Sequence, residues 1–293
     1  MITVALLVTS LQPFPAFAQK AANPLKQGVA LYKKGEFSKA LAAFDKAVQQ
    51  DPKNAILYSY RGLARYRLND LDGAMADQTK AIELNPRLAE AYTNRGAIRF
   101  VKGDVDGAIA DHTQAIQLDS KYAEAYNNRG EARRTKGDVD GALADFNQTL
   151  KLSPFYSQAY VNRAAVYVQK ADLATSRKNE AEARKHIEEA LKDSTKAQVL
   201  NPKLAEAYTV RGLAFLRIRR VKEASADFTK AIELNPRHAL AYLNRGTLRV
   251  QGKDFSGGLQ DLKKAVELVP HLKPDAQLWI EKAEQGLQGK ASK

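Results

Sequence analysis

A spacing of 34 residues constrains this chain more than any other feature. Gly28, Gly62, Gly96, Gly130 and Ala164 follow one another at that interval, and after a gap of 48 Gly212 and Gly246 resume it. The surrounding text returns too: Tyr92 to Gly96 reads Tyr-Thr-Asn-Arg-Gly, Tyr126 to Gly130 reads Tyr-Asn-Asn-Arg-Gly, and Tyr242 to Gly246 reads Tyr-Leu-Asn-Arg-Gly. Twelve residues on comes a second small residue (Ala40, Ala74, Ala108, Ala142, Ala224, Gly258), with Ala190 displaced by the long gap. Most units close near a proline, at Pro52, Pro86, Pro154, Pro202, Pro236 and Pro270, with Ser120 as the exception. A fixed period of this size marks an array in which each unit completes its core only against its neighbours.

Each unit holds two apolar-periodic stretches of about a dozen residues, such as Ala89 to Val101 and Val105 to Leu118, spaced for amphipathic helices. Between them Lys102-Gly103-Asp104 offers a residue suited to the left-handed conformation and then an N-capping carboxylate. Asn85-Pro86 stops the second helix, because proline lacks the N–H and restricts the residue before it. The fifth unit carries 14 extra residues between Ala164 and Ala190. Fourteen is close to four helical turns, so Gln169 to His186 lengthens both helices by about two turns and projects about 10 Å beyond its neighbours. Its tip, Thr175 to Asn179, is read either as a contact point or as a tolerated surface insertion.

An aromatic residue, a glycine four residues later, then alanine, aromatic, alanine and proline at these offsets resembles the tetratricopeptide repeat family over roughly residues 21–270. The resemblance implies an all-α, right-handed superhelical solenoid of seven helix-turn-helix units. The array is expected over 19–273 and a capping helix with a mobile tail over 274–293, while 1–18 reads separately as a signal peptide or a possible anchor. In the capping stretch, Asp275 to Leu287, Leu278 and the single tryptophan Trp279 are expected to seal the last unit, with the tail starting at Lys290. The family's concave groove is lined by positions 2, 5, 6, 9, 12 and 13 of each unit, counted from the residue seven before the first small one. Position 6 is Asn94, Asn128, Asn162 and Asn244, interrupted by Tyr60 and Val210.

An asparagine amide donates to a peptide C=O and accepts from its N–H at once, which suits capture of an extended backbone. The row resembles the asparagine ladder in the repeats of O-linked N-acetylglucosamine transferases. The competing reading is that the amides only bond neighbouring helices. Tyr66, Phe100 and Arg134 complete the expected groove. The family's carboxylate clamp needs lysine at position 5, where this chain has Ser59, Thr93, Asn127, Val161, Thr209 and Leu243, so that mode is not supported.

Arginine before each small residue has an aspartate sixteen residues later: Arg61 with Asp77, Arg95 with Asp111, Arg129 with Asp145, Arg211 with Asp227 and Arg245 with Asp261. Arg163 and Asp193 fit once the insertion is removed. The first unit has Gln27 and Ala43 instead, and this joint loss favours a structural ion pair over a ligand site. A further arginine one turn on (Arg65, Arg99, Arg133, Arg249) calls for another anion, from a neighbouring unit's glutamate or an acidic ligand.

Met1 to Ala18 has no charged side chain, contains the apolar run Val4 to Val8 and ends in Ala16-Phe17-Ala18, as a signal peptide does, although a basic start is missing. Export to the periplasm or medium is expected if it is cleaved, and a cytoplasmic place if it is not a signal; Pro13 and Pro15 argue against a spanning helix. Cysteine is absent, which excludes disulfides, thiolate metal sites and cysteine nucleophiles. His112, His186, His238 and His271 occur singly, there is no phosphate-binding glycine loop, and neither enzyme activity nor a cofactor is expected. Asp104-Val-Asp106-Gly107 lacks the remaining ligands of a calcium loop and reads as a helix cap. The expected function is a scaffold for a protein or peptide partner. The alternative is binding of nucleic acid or another anionic surface through a basic convex face, in a chain whose net charge is +13.

Overall fold

In a computed structural model, residues 22–291 are described, with side-chain surroundings for 23–288. The expected signal segment lies outside these residues, as does the end of the expected tail. Every regular element among them is helical. The chain forms two compact units, the first running through Ser153 and the second from Pro154.

The first unit comprises α1 (Ala22–Lys33), α2 (Phe37–Gln50), α3 (Ala55–Arg67), α4 (Leu71–Leu84), α5 (Ala89–Val101), α6 (Val105–Leu118), α7 (Ala123–Lys136) and α8 (Val139–Leu152). The second comprises α9 (Ser157–Ser176), α10 (Glu180–Leu200), α11 (Ala205–Arg217), α12 (Val221–Leu234), α13 (Ala239–Gln251), α14 (Phe255–Leu268), a 3-10 turn (Pro270–Leu272) and α15 (Lys273–Ala291). Odd and even helices pair as hairpins through α14. Within each unit the second helix of one hairpin also packs on the first helix of the next, and first helices touch directly, α3 on α5, α5 on α7 and α9 on α11.

The two small residues of each repeat mark where hairpin helices meet. A Cβ at Gly130 would lie 2.8 Å from the Phe146 ring, so only glycine lets that fully buried ring sit against α7. Phe44 and Phe228 fill the same place against Gly28 and Gly212. The Asp70, Asp104, Asp138 and Asp254 side chains accept from the N–H three residues on and cap the second helices. The preceding turn needs a left-handed residue: Gly35, Gly103 and Gly137 supply it, while Asn69, Arg219 and Lys253 adopt it without being glycine. The calcium-like acidic text is thus used as helix caps.

His112 stands where Phe146 stands in the next hairpin. It is 1% exposed, its Nδ1 has no hydrogen-bond partner, and burial, with the Arg129 charge as a lesser cause, pushes its pKa down to about 3. A histidine held neutral in the fold stabilises fully above its unfolded pKa, and that stability is lost as pH falls from about 6.5 toward the folded value. His112→Phe is therefore expected to raise the unfolding free energy read from urea titration, by an amount that grows to about 2 kcal/mol near pH 5. An advantage that stayed constant between pH 7 and pH 5 would contradict this.

The insertion divides evenly: α9 has 20 residues and α10 has 21, against 13 and 14 in the hairpin that follows. The longer pair is tied down within its unit, because Asp172 on α9 accepts from Arg217 on α11 at 2.5 and 2.8 Å, and Tyr167 stacks on His186. Arg217, one residue further along its unit than Arg134 is along its own, is thus committed within the fold rather than free. The C-terminal helix departs from the sequence reading. It begins at Lys273 and continues past Leu287 to Ala291, and Leu278 is 55% exposed. Ala276 and Ala283 face α14 instead, with Trp279 and Ile280 packed beside them against Val250 and Leu262. Leu278 lies two residues from Ala276 and five from Ala283, off the i, i+3, i+4, i+7 stripe that they define.

Candidate functional site

The repeated arginines and aspartates form one ladder along each unit. Arg61, Arg95, Arg129, Arg163, Arg211 and Arg245 each donate from Nε and Nη2 to both oxygens of Asp77, Asp111, Asp145, Asp193, Asp227 and Asp261 respectively, at 2.6–2.9 Å. These aspartates are buried, and each guanidinium also lies 5.2–5.8 Å from the ring of the tyrosine three residues before it. Planar bidentate pairing plus stacking uses the guanidinium fully.

The second arginine set corrects the sequence reading. Arg65, Arg99, Arg133 and Arg249 do not await a neighbouring glutamate or an acidic ligand: each places Nη1 2.9 Å from the same aspartate that already holds the first arginine. Nε of each lies 3.6–3.7 Å from the capping aspartate of the second helix. One buried carboxylate therefore bonds two guanidiniums, and the cap carboxylate supplies the second negative charge that balances them.

The expected row of open amides is a second correction. Asn94, Asn128 and Asn162 are 1%, 6% and 7% exposed. The Asn94 amide donates to Ser59 Oγ at 3.2 Å, Asn128 Oδ1 accepts from Asn127, and Asn162 Oδ1 accepts from Gln158. Asn244 is half-buried and donates to the Leu240 carbonyl one turn back. The cause is the close approach of consecutive first helices: Ser59, Thr93 and Ala97 are small and buried, so the amides fill a seam instead of projecting from it.

Beside that seam Tyr60, Tyr66, Phe100 and Arg134 are half-buried. Burial raises the pKa of both tyrosines, and Arg134 is committed to Glu131 through two hydrogen bonds of 3.0 and 2.6 Å. Glu124, on the same face of α7 as Asn128, carries no signal in the sequence that sets it apart. It is 7% exposed, its Oε1 has no partner, and desolvation, followed by the charge of Glu90, pushes its pKa up to about 8. Thr93 Oγ1, Asn94 Oδ1 and Asn128 Nδ2 are likewise buried without partners. Among the described residues no group of three or more histidines or carboxylates is placed to hold a metal ion.

Family models match most of the chain: a TPR repeat model over residues 28–69 and 96–133, and tetratricopeptide repeat models over 127–199 with 209–273 and over 57–88. A search of curated proteins finds no match. Among solved structures, a chain of the Cut9–Hcn1 hetero-tetramer of the APC/C is similar at 17% identity and a TM-score of 0.74, over 87% of this chain and 48% of that one. This chain thus spans about half the length of that relative. A tetratricopeptide repeat protein from Parabacteroides merdae matches at 17% identity and 0.67, over 91% of this chain and 100% of its own. A monomeric IFIT1 mutant with Gppp-AAAA matches at 17% and 0.72, over 94% and 72%. These likenesses establish the all-α repeat solenoid fold.

Proposed function

The chain belongs to the tetratricopeptide repeat family, and from that premise we propose that it is a non-enzymatic scaffold that holds an extended partner segment against the first-helix face of its hairpins. The observation that carries this reading is the set of unmet polar atoms on α5 and α7: Thr93 Oγ1, Asn94 Oδ1, Glu124 Oε1 and Asn128 Nδ2. A buried polar atom without a partner costs about 1–3 kcal/mol, whereas the ion-pair ladder on the same helices is satisfied. A peptide backbone supplies both donors and acceptors, and the rings of Tyr60, Tyr66 and Phe100 beside the seam supply apolar contact. Sequence-tolerant capture follows from backbone recognition.

Among the described residues no helix is long and apolar enough to cross a membrane. Export through residues 1–18 belongs to the same proposal; N-terminal sequencing of the mature protein tests it, and an intact Met1 on a cytoplasmic product rejects it.

Tyr66→Ala with Phe100→Ala is expected to weaken capture of a partner at least about tenfold while circular dichroism stays unchanged, because aromatic anchors carry most of such an interface. Capture should change little between low and moderate salt. Capture that collapses with salt and ignores the double variant would instead support the anionic-surface reading, in which phosphate contacts release counterions.

A further inference from the structure

Eight carboxylates are buried among the described residues. Asp77, Asp111, Asp145, Asp193, Asp227 and Asp261 are held by arginine, and Glu131 by Arg134. Glu124 is the exception. No cation of the described chain pairs with it, although the protein carries 46 Lys and Arg against 33 Asp and Glu. Glu90 holds the corresponding place one hairpin earlier and lies close enough for its charge to act on Glu124; among the described residues it too makes no ion pair. Glu90 is half-buried, so the pair opens toward solvent on its side.

A second observation is independent of the acids. Asn94 and Asn128 stand four residues after Glu90 and Glu124, hence on the same faces of α5 and α7, one turn along. Asn94 Oδ1 is an unused acceptor and Asn128 Nδ2 an unused donor, both buried. Leaving a buried carboxylate without a counter-charge in a chain rich in cations makes sense when the counter-charge arrives from outside.

We propose that Glu90 and Glu124 form a receptor for one cationic side chain of the partner segment, the ammonium of a lysine or the guanidinium of an arginine. This rests on the reading of the first-helix face as the docking surface, and it fixes the register by which a segment lies there. The cation lies between the two carboxylates, donates to Asn94 Oδ1 as well, and displaces the proton that Glu124 otherwise keeps, so its single charge offsets the one that Glu124 gains. The proton leaves to solvent, so docking releases up to one proton near neutral pH. The charged group acting on Glu124 is Glu90 from α5; Glu131, two turns along α7, is paired with Arg134. The phenol of Tyr60 on α3 lies close to Glu90.

The test uses the whole protein labelled with 13C at the glutamate carboxyls, with the Glu124 resonance assigned by its loss in Glu124→Gln. Saturating n-butylguanidinium at constant ionic strength is expected to lower the Glu124 titration midpoint by about one pH unit, while the neutral isostere n-butylurea leaves it in place. Equal effects of the two compounds, or none from either, overturn the cation site. A second arm selects random dodecapeptides on the protein. Enrichment of lysine or arginine at one position, lost on Glu124→Gln, supports the proposal. Peptides captured with no basic position overturn it while leaving the docking face standing. Failure to capture any peptide overturns the docking face and the cation site together.

Discussion

Glu124→Gln is expected to change stability by less than about 1 kcal/mol near pH 5 and to stabilise the protein by up to about 4–5 kcal/mol above pH 8. The folded pKa is raised to about 8, mainly by burial and secondarily by Glu90, so the folded state holds its proton more tightly than the unfolded chain does. Stability from such a group is complete below the unfolded value near 4.5, is lost progressively as pH rises from there, and is gone once pH has passed through about 8. Glutamine has the same shape and no proton to lose. Urea midpoints at pH 5, 7 and 9 read the difference directly. Parallel pH profiles for the two proteins would show that the carboxyl is not held in its neutral form.

Asp145→Ala is expected to cost about 3 kcal/mol, because it strands two guanidiniums in a partly buried setting. Asp145 accepts from Arg129 at 2.9 and 2.7 Å and from Arg133 at 2.9 Å, and is 3% exposed. Arg129 also reaches back to Thr113 Oγ1 on α6 at 3.2 Å, so the loss should spread from the α7/α8 hairpin to its predecessor. Hydrogen exchange is expected to quicken in α6, α7 and α8, with the urea midpoint falling accordingly. Removing all three charges in Asp145→Leu with Arg129→Leu and Arg133→Leu should recover much of the loss, since an absent buried cluster costs far less than a broken one. A single variant as stable as the parent would return these arginines to the pool of ligand-binding groups.

The period and the pair spacing were legible because both are local rules repeated many times. The even split of the insertion followed from the 3.6-residue turn: seven residues added to each helix restore the face that must meet the neighbours. The first ion-pair set was legible from Gln27 and Ala43, which replace both partners at once. The anion of the second arginine set was missed, yet its signal was present. Arg65, Arg99, Arg133 and Arg249 occur in the units that also carry Asp70, Asp104, Asp138 and Asp254 as caps. Where Asn179 and Arg220 take the cap position, Tyr167 and Phe215 replace the arginine.

Burial of the amides was not legible from the period. Spacing puts Asn94 and Asn128 on the first-helix face, but how deep they sit depends on how closely those helices approach, which Ser59, Thr93 and Ala97 decide through their size. Leu278 shows the converse. Its composition suited a capping face, while the small Ala276 and Ala283 allowed a closer approach of α15 to α14 and left the leucine outside.

The docking face is tested most directly by placing a photo-crosslinking phenylalanine analogue at Phe100 on α5 and, in a second protein, at the exposed Lys80 on α4. Irradiation with a captured partner should give an adduct from position 100 and none from position 80. Adducts from position 80 alone would mean that partners dock on the second helices, and the account of the unmet polar atoms along α5 and α7 would fall with it.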